Sequence, residues 1–442
     1  MAVDAVSTGA DTQTVMRNAP ILILLRPRGG ARDLKDVARA PDGAPVILGL
    51  SLIERASLAA RRAGYGRVLP LGGNAREAPE ADAIGDWRRL AATLASSPTA
   101  PPLVVAPAAI LAEKDWLVAA LRSPSLDGRP SGRPFARVYK WAAIPNRIVI
   151  ISAASAAAAA EALAEDGGAA DLAAVEARLT QALGPPAPAP PGVDPIVAES
   201  YEDVRAAERR LLRALTKDTD GFMARHVERP ISLFISRRLA PTSITPNQMS
   251  LISIAVGICG GPFFLSSRPL MQTIGALLFL AHSILDGCDG ELARLKFQQS
   301  RLGGVLDFWG DNIVHSVIFG CMSVGWSLAA GSLAPLALGV AAILGTLASA
   351  GFVYWRLMRI KDDGGFTSVS ASPERPLARL LDAASRRDFI YLVILLALVG
   401  RSDWFLILAA IGAPIYFVLV LLAARPRASL KGGPSFAPGA NP

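Results

Sequence analysis

The stretch ILDGCDGELARLKFQQSRLGGVLDFWGD, Ile284 to Asp311, decides how this chain is read. It places Asp286, Asp289, Asp307 and Asp311 inside a region that otherwise has the composition of membrane-spanning helices. Ionised side chains are costly there and mark function when they occur. On a helix running through residues 282–294, Asp286 and Asp289 share a face with Gly290 and Ala293. On a following helix, Gly303, Asp307 and Asp311 fall at i, i+4 and i+8, giving a second stripe of one small residue and two carboxylates. Two such stripes facing each other enclose a pocket of four carboxylates. Their mutual repulsion calls for cations, and hard divalent ions with all-oxygen ligands, often shared with substrate phosphates, are the natural remedy. A water-filled polar cavity or an ion path would also explain buried aspartates, but not the accompanying small residues and Arg294.

Outward from this stretch, the 442 residues divide by composition. Residues 1 to about 240 mix charged, Pro-rich and Ala-rich segments, and long apolar runs dominate from Met249 to Ala424. Six runs are candidates for spans: 248–266, 269–286, 304–326, 333–355, 388–401 and 403–424, the fifth being short. Lys and Arg gather after the second span (Arg294, Lys296, Arg301), after the fourth (Arg356 to Arg387) and after the sixth (Arg425, Arg427, Lys431). The positive-inside rule then puts both termini and the carboxylate-bearing helix ends at the cytoplasmic face. The net charge of +8 is accounted for by these loops beside an anionic leaflet, so no nucleic-acid partner is expected. The run APILILL has strand length and lacks a small-residue cleavage site after it, so the N-terminal half is expected to stay cytosolic. Cys259, Cys288 and Cys321 have no metal-ligand or redox spacing and read as packing residues.

DGCDGELAR, eight residues, then GGVLDFWGD matches D-x-x-D-G-x-x-A-R-x8-G-x3-D-x3-D at every specified position. That pattern resembles the signature of the CDP-alcohol phosphotransferase family, and residues 217 to 425 look like its six-span fold. The resemblance implies that an acceptor alcohol attacks the β-phosphorus of a CDP-alcohol donor, that CMP leaves, and that a phosphodiester forms. It implies that Asp286, Asp289, Asp307 and Asp311 bind two divalent ions, Mg2+ or Mn2+. It makes Asp311, with Asp307, catalytic, Asp311 being the base for the acceptor hydroxyl. Gly290, Ala293, Arg294 and Gly303 would hold the nucleotide. A homodimer in the cytoplasmic membrane is implied as well. The substrate reads as inositol-like or as a CDP-diacylglycerol, and a non-enzymatic membrane scaffold is one alternative.

Other candidates surround this core. His282 lies four residues before Asp286 and His315 four after Asp311, so each continues a carboxylate face and contacts the carboxylates or acceptor, or packs between helices. LTKDTDGFMARHVERPISLFISRRLAPTSITPNQMS, Leu215 to Ser250, reads as an amphipathic interfacial helix and a turn, with Asn247 near the next helix start. Its K-D-T-D-G entry resembles the di-myo-inositol phosphate phosphate synthase branch, making Lys217 and Asp220 substrate candidates. Arg356 and Arg386 are candidates for a phosphate on the acceptor.

Residues 19–183 alternate strand-like runs (ILILL, RVLPL, PLVVA, RIVII) with helical stretches at 51–64, 108–122 and 153–165, an α/β pattern. GLSLIERASLAARRAGYGRVL and SYEDVRAAERRLL resemble a sugar-phosphate nucleotidyltransferase, as in inositol-phosphate cytidylyltransferase fusions. Yet the first strand runs into RPRGGARDLK and the central one ends LVVAPAAIL, without an acidic metal ligand. The expectation is a domain that no longer makes a CDP-alcohol, a bifunctional enzyme being the alternative. The expected layout is a flexible 1–18, a cytosolic nucleotidyltransferase-like 19–195, a juxtamembrane 196–246, an all-α six-span 247–426 and a disordered 427–442.

Overall fold

A computed structural model of the chain describes residues 19–25, 37–41, 44–71, 87–96, 101–121, 136–140, 148–151, 153–164, 196–216, 221–355 and 389–423, with short pieces between 175 and 188. They form two compact units, one of residues 1–215 with 240–242, the other of 216–239 with 243–442.

The first unit is α/β. Strands β1 (Ile21–Leu25), β4 (Arg67–Leu71), β5 (Leu103–Pro107), β6 (Ala136–Lys140), β7 (Ile148–Ile151) and β8 (Ala187–Pro188) make one sheet in the order β4-β1-β5-β7-β6-β8. β1 pairs in parallel with β4 and β5, and β7 is antiparallel to β5 and β6. β1, β5 and β7 are buried along their whole length, which is why they read as unbroken apolar runs rather than alternating ones. A two-residue hairpin joins β2 (Val46–Ile47) to β3 (Leu50–Ser51) through Leu48 and Gly49, both with positive φ. Helix α1 (Leu52–Ala63) follows, started by a Ser51–Glu54 capping box and ended at Gly64 with φ 96°. Helices α2 (Trp87–Ala95) and α4 (Ala153–Ala164) pack Trp87, Leu90, Ala156 and Leu163 against the sheet. Helix α3 starts at Lys114 and ends at Leu121, later than the predicted 108, because Ala108 to Leu111 instead hydrogen-bond to Leu25 and Ile196. α5 (Tyr201–Arg213) is capped by Ser200 and Asp203, and its Arg210 pairs with Glu113 at 2.5 Å. Burial raises the Glu113 pKa and Arg210 partly offsets it.

The second unit is helical and crosses a membrane several times. A single π turn (Ala224–Glu228) leads into α6 (Arg229–Leu239), then come α7 (Pro246–Gly260) with a 3-10 turn to Leu265, α8 (Pro269–Leu295), α9 (Arg301–Ala330), α10 (Ala334–Val353), α11 (Phe389–Leu398) and α12 (Ser402–Ala423). Among the described residues, five helices are long and apolar enough to span: Pro246–Leu265, α8, α9, α10 and α12. The described part of α11 has 10 residues, about 15 Å of helix and so half a bilayer core.

Helix starts follow local chemistry. Thr245 and Gln248 form a reciprocal capping box around Pro246 at the head of α7. The Ser300 hydroxyl accepts from the Gly303 N–H at the head of α9. α8 and α9 are 27 and 30 residues long, roughly 40 and 45 Å against a hydrocarbon core of about 30 Å. The end of α8 and the start of α9 carry the four aspartates.

Close helix approach depends on small residues. A Cβ at Gly257 of α7 would lie 2.6 Å from Val314 Cγ1 of α9 and 2.9 Å from His282 Cγ of α8. Below this contact, Phe264, Phe279, Ile318, Phe319, Val393 and Phe405 form the apolar core. We predict that Gly257→Ala lowers the melting temperature of the detergent-purified protein, at an overpacking cost of about 1–3 kcal/mol. Gly412→Ala, where no described atom lies within 4 Å, should leave it unchanged.

Candidate metal and nucleotide site

The last three turns of α8 and the first three of α9 carry the signature residues. Asp286 and Asp289 are buried and Asp307 half-buried, and each offers one carboxylate oxygen such that all three atoms lie within 4.8 Å of one another. The Asp286 and Asp307 carboxylates are within hydrogen-bond reach, and Asp311 is close enough to act electrostatically on Asp289 and Asp307. Three converging hard oxygens, two of them withdrawn from water, fit a divalent cation.

Helix α7 fastens this cluster through residues that sequence reasoning passed over. The Ser250 hydroxyl donates to Asp289 Oδ2, and Ser253 lies one turn on. The Ser253 carbonyl oxygen is 2.9 Å from His282 Nδ1, so Nδ1 donates and Nε2 faces Asp311 Oδ1 at 3.3 Å. His282, 2% exposed, is therefore held between α7 and a site carboxylate. The signal for Ser250 was available as a serine at i+3 from Asn247 in an apolar span. Its target, however, lies 39 residues away and has no sequence signature.

Asn247 Oδ1 stands 3.0 Å from where a Cβ at Gly303 would sit, so Gly303 lets the head of α7 approach α9. At Gly290 the one described atom within 4 Å of an added Cβ is Arg294 Nη1 at 3.6 Å, leaving open backbone beside the carboxylates. Ala293 and Arg294 are half-buried on the same helix. Just beyond, Lys296 donates to the Ile244 carbonyl at 2.7 Å, and burial lowers its pKa.

His315 packs among Phe279 at 5.3 Å, Phe389 at 5.7 Å and Phe319 at 6.3 Å. Lys217, Asp220, Arg356 and Arg386 lie outside the described residues, as do most of the Pro-rich segment 184–195 and the termini.

Residues 243–416 match the family model described as CDP-alcohol phosphatidyltransferase. That segment is similar to CDP-alcohol phosphatidyltransferases. Relatives include two proteins named bifunctional IPC transferase and DIPP synthase. That of Thermococcus kodakarensis is 41% identical over 110 residues, 25% of this chain and 24% of the relative. That of Rubrobacter xylanophilus is 35% identical over 187 residues, 41% of this chain and 40% of the relative. The chain thus matches well under two thirds of their length. A solved Mycobacterium tuberculosis phosphatidylinositol phosphate synthase with CDP-DAG bound is 23% identical, covers 44% of this chain and 93% of its own, and has a TM-score of 0.30.

The clustered carboxylates depend on α7 for orientation. Removing a group that orients a metal ligand typically costs about 10–100-fold in metal affinity. We therefore expect Ser250→Ala to weaken Mg2+ binding by that order in isothermal titration, and Asp307→Asn to abolish it. Unchanged affinity in Ser250→Ala would assign that hydroxyl to packing.

Proposed function

We propose that the chain is an integral-membrane CDP-alcohol phosphotransferase that moves a phospho-alcohol group from a CDP-alcohol to an acceptor alcohol and releases CMP. The observation that carries this reading is the convergence of Asp286, Asp289 and Asp307 beside the open backbone of Gly290. Asp286, Asp289, Asp307 and Asp311 hold two divalent ions, Mg2+ or Mn2+. Bound there, the ions neutralise charge on the pyrophosphate oxygens of the donor.

The protein's own groups do the rest. Gly290, Ala293 and Gly303 leave room for the cytidine nucleotide, and Arg294 supplies positive charge to a phosphate. Asp311 accepts the proton of the acceptor hydroxyl as that oxygen bonds to the β-phosphorus and the bond to the CMP oxygen breaks. His282 supports this role: with Nδ1–H committed to Ser253, its Nε2 faces the carboxylate and shares the proton taken up. The remaining candidates, Lys217, Asp220, Asn247, His315, Arg356 and Arg386, are assigned to substrate contact or support of the site.

On this reading α11 is the fifth of six passes, both termini face the cytoplasm, the protein sits in the cytoplasmic membrane, and it pairs as a homodimer. The α/β unit is a nucleotidyltransferase-like domain. A bifunctional enzyme is the second reading, favoured by the names of the relatives, whose own activities include an IPC transferase step. Against it, β5 lies inside the sheet and continues into Ala108–Leu111 with no carboxylate to hold a metal–triphosphate.

The test is CMP release by purified protein across a matrix of CDP-alcohols and acceptors with Mg2+. Asp289→Asn should abolish it in a protein that still folds. Gly290→Leu should keep metal binding and lose the nucleotide. Wild-type release by Asp289→Asn at limiting Mg2+ would sink the assignment. Separately, full-length protein incubated with CTP and inositol or sugar phosphates should release no pyrophosphate, and release above a no-enzyme blank would establish the bifunctional reading.

A further inference from the structure

α8 has a second polar face, turned away from the carboxylate cluster and toward α6. Glu291, two residues after Asp289, is fully buried. Its Oε1 accepts from Arg229 Nη1 at 2.8 Å and from the Ser232 hydroxyl at 2.7 Å. One turn earlier on α8, a Cβ at Gly287 would lie 3.6 Å from Arg229 Nη1 and 3.8 Å from Ser232. Cys288 Sγ is 3.5 Å from the Ser232 carbonyl oxygen. One residue before Arg229, Glu228 accepts from Ser283 of α8 at 3.1 Å and from Tyr391 of α11 at 3.3 Å.

α6 turns small polar residues toward the protein and leaves apolar ones outside. Its buried face is Ser232 and Ser236, while Ile231 and Phe234 are exposed. Small residues at a helix contact are the mark of tight packing inside a bilayer. A buried ion pair adds little stability over well-packed apolar residues and is best attested as a device that fixes register. Here the register is that of the α8 turn carrying Asp286, Asp289 and Gly290.

We propose that Arg229, Ser232 and Glu291 are positioning residues for the metal site. They clasp α6 to the back of α8 and hold the Asp286–Gly290 turn at the rotation that brings its carboxylates to Asp307. The proposal rests on the metal-site reading above but assigns residues outside the signature stripe. It also makes α6 a structural member of the site rather than an anchor alone.

The test uses the full chain in detergent, with Mn2+ alone as probe and electron paramagnetic resonance reporting free and bound ion. The Arg229→Met/Glu291→Met double variant removes the pair without leaving a lone buried charge. It should melt at or above the wild-type temperature yet bind Mn2+ about 10–100-fold more weakly. Arg229→Lys, which keeps a charged donor for Glu291, should retain affinity. Wild-type Mn2+ affinity in the double variant overturns the clasp. Should the double variant fail to fold, Ser232→Ala decides, since it deletes the hydroxyl that donates to Glu291 and leaves the pair: weakened binding supports the clasp and unchanged binding overturns it. Absence of Mn2+ binding by the wild-type chain would overturn the metal reading and the clasp together. Wild-type binding with indifferent variants overturns the clasp alone.

Discussion

Three carboxylates held within 4.8 Å of one another among helices apolar and long enough to span a membrane are the constraint on which the helical unit depends. Like charges that close, away from bulk water, repel strongly, and a chain left to itself would separate them. The surrounding helices prevent this. α8 and α9 are pressed together against α7, which approaches both closely at Gly257. Ser250 and His282 then bind two of the aspartates to that same helix. The arrangement is costly for folding and suited to a cation, which is the balance expected of a functional site rather than a structural one.

The two faces of α8 divide the work. One face carries the aspartates, with Gly290 leaving backbone open for a ligand. The other carries Ser283, Gly287, Cys288 and Glu291 against the π turn and α6. A single-turn π segment commonly accompanies a functional site. Here it ends at Glu228, so that Glu228 and Arg229, adjacent in sequence, reach Ser283 and Glu291, eight residues apart on α8. The juxtamembrane helix is thereby tied to span and site together.

Much of this was legible in the sequence because it is local. The register of Asp286, Asp289, Gly290 and Ala293 follows from helical period alone, and so does that of Gly303, Asp307 and Asp311. Strands β1, β4, β5 and β7 stood out as apolar runs bounded by turn residues. What escaped was nonlocal. Ser250 reaches Asp289 and Arg229 reaches Glu291 across 39 and 62 residues, and neither pair leaves a periodic trace. His282 and His315 looked equivalent by spacing, yet one meets Asp311 and the other three phenylalanine rings, a distinction made by which helices pack beside them. The start of α3 was misplaced because Ala108–Leu111, apolar enough for a helix, is taken up by backbone bonds to neighbouring segments.

The central claim is that α8 and α9 together build a divalent-cation site for phosphoryl transfer. Its most direct measurement is anomalous diffraction at the manganese edge from crystals grown with Mn2+ and a CDP-alcohol. The account predicts two peaks among the carboxylates of Asp286, Asp289, Asp307 and Asp311, with the pyrophosphate against them and the nucleotide beside Gly290. Density for the nucleotide elsewhere, or a carboxylate cluster without a manganese peak, would contradict it.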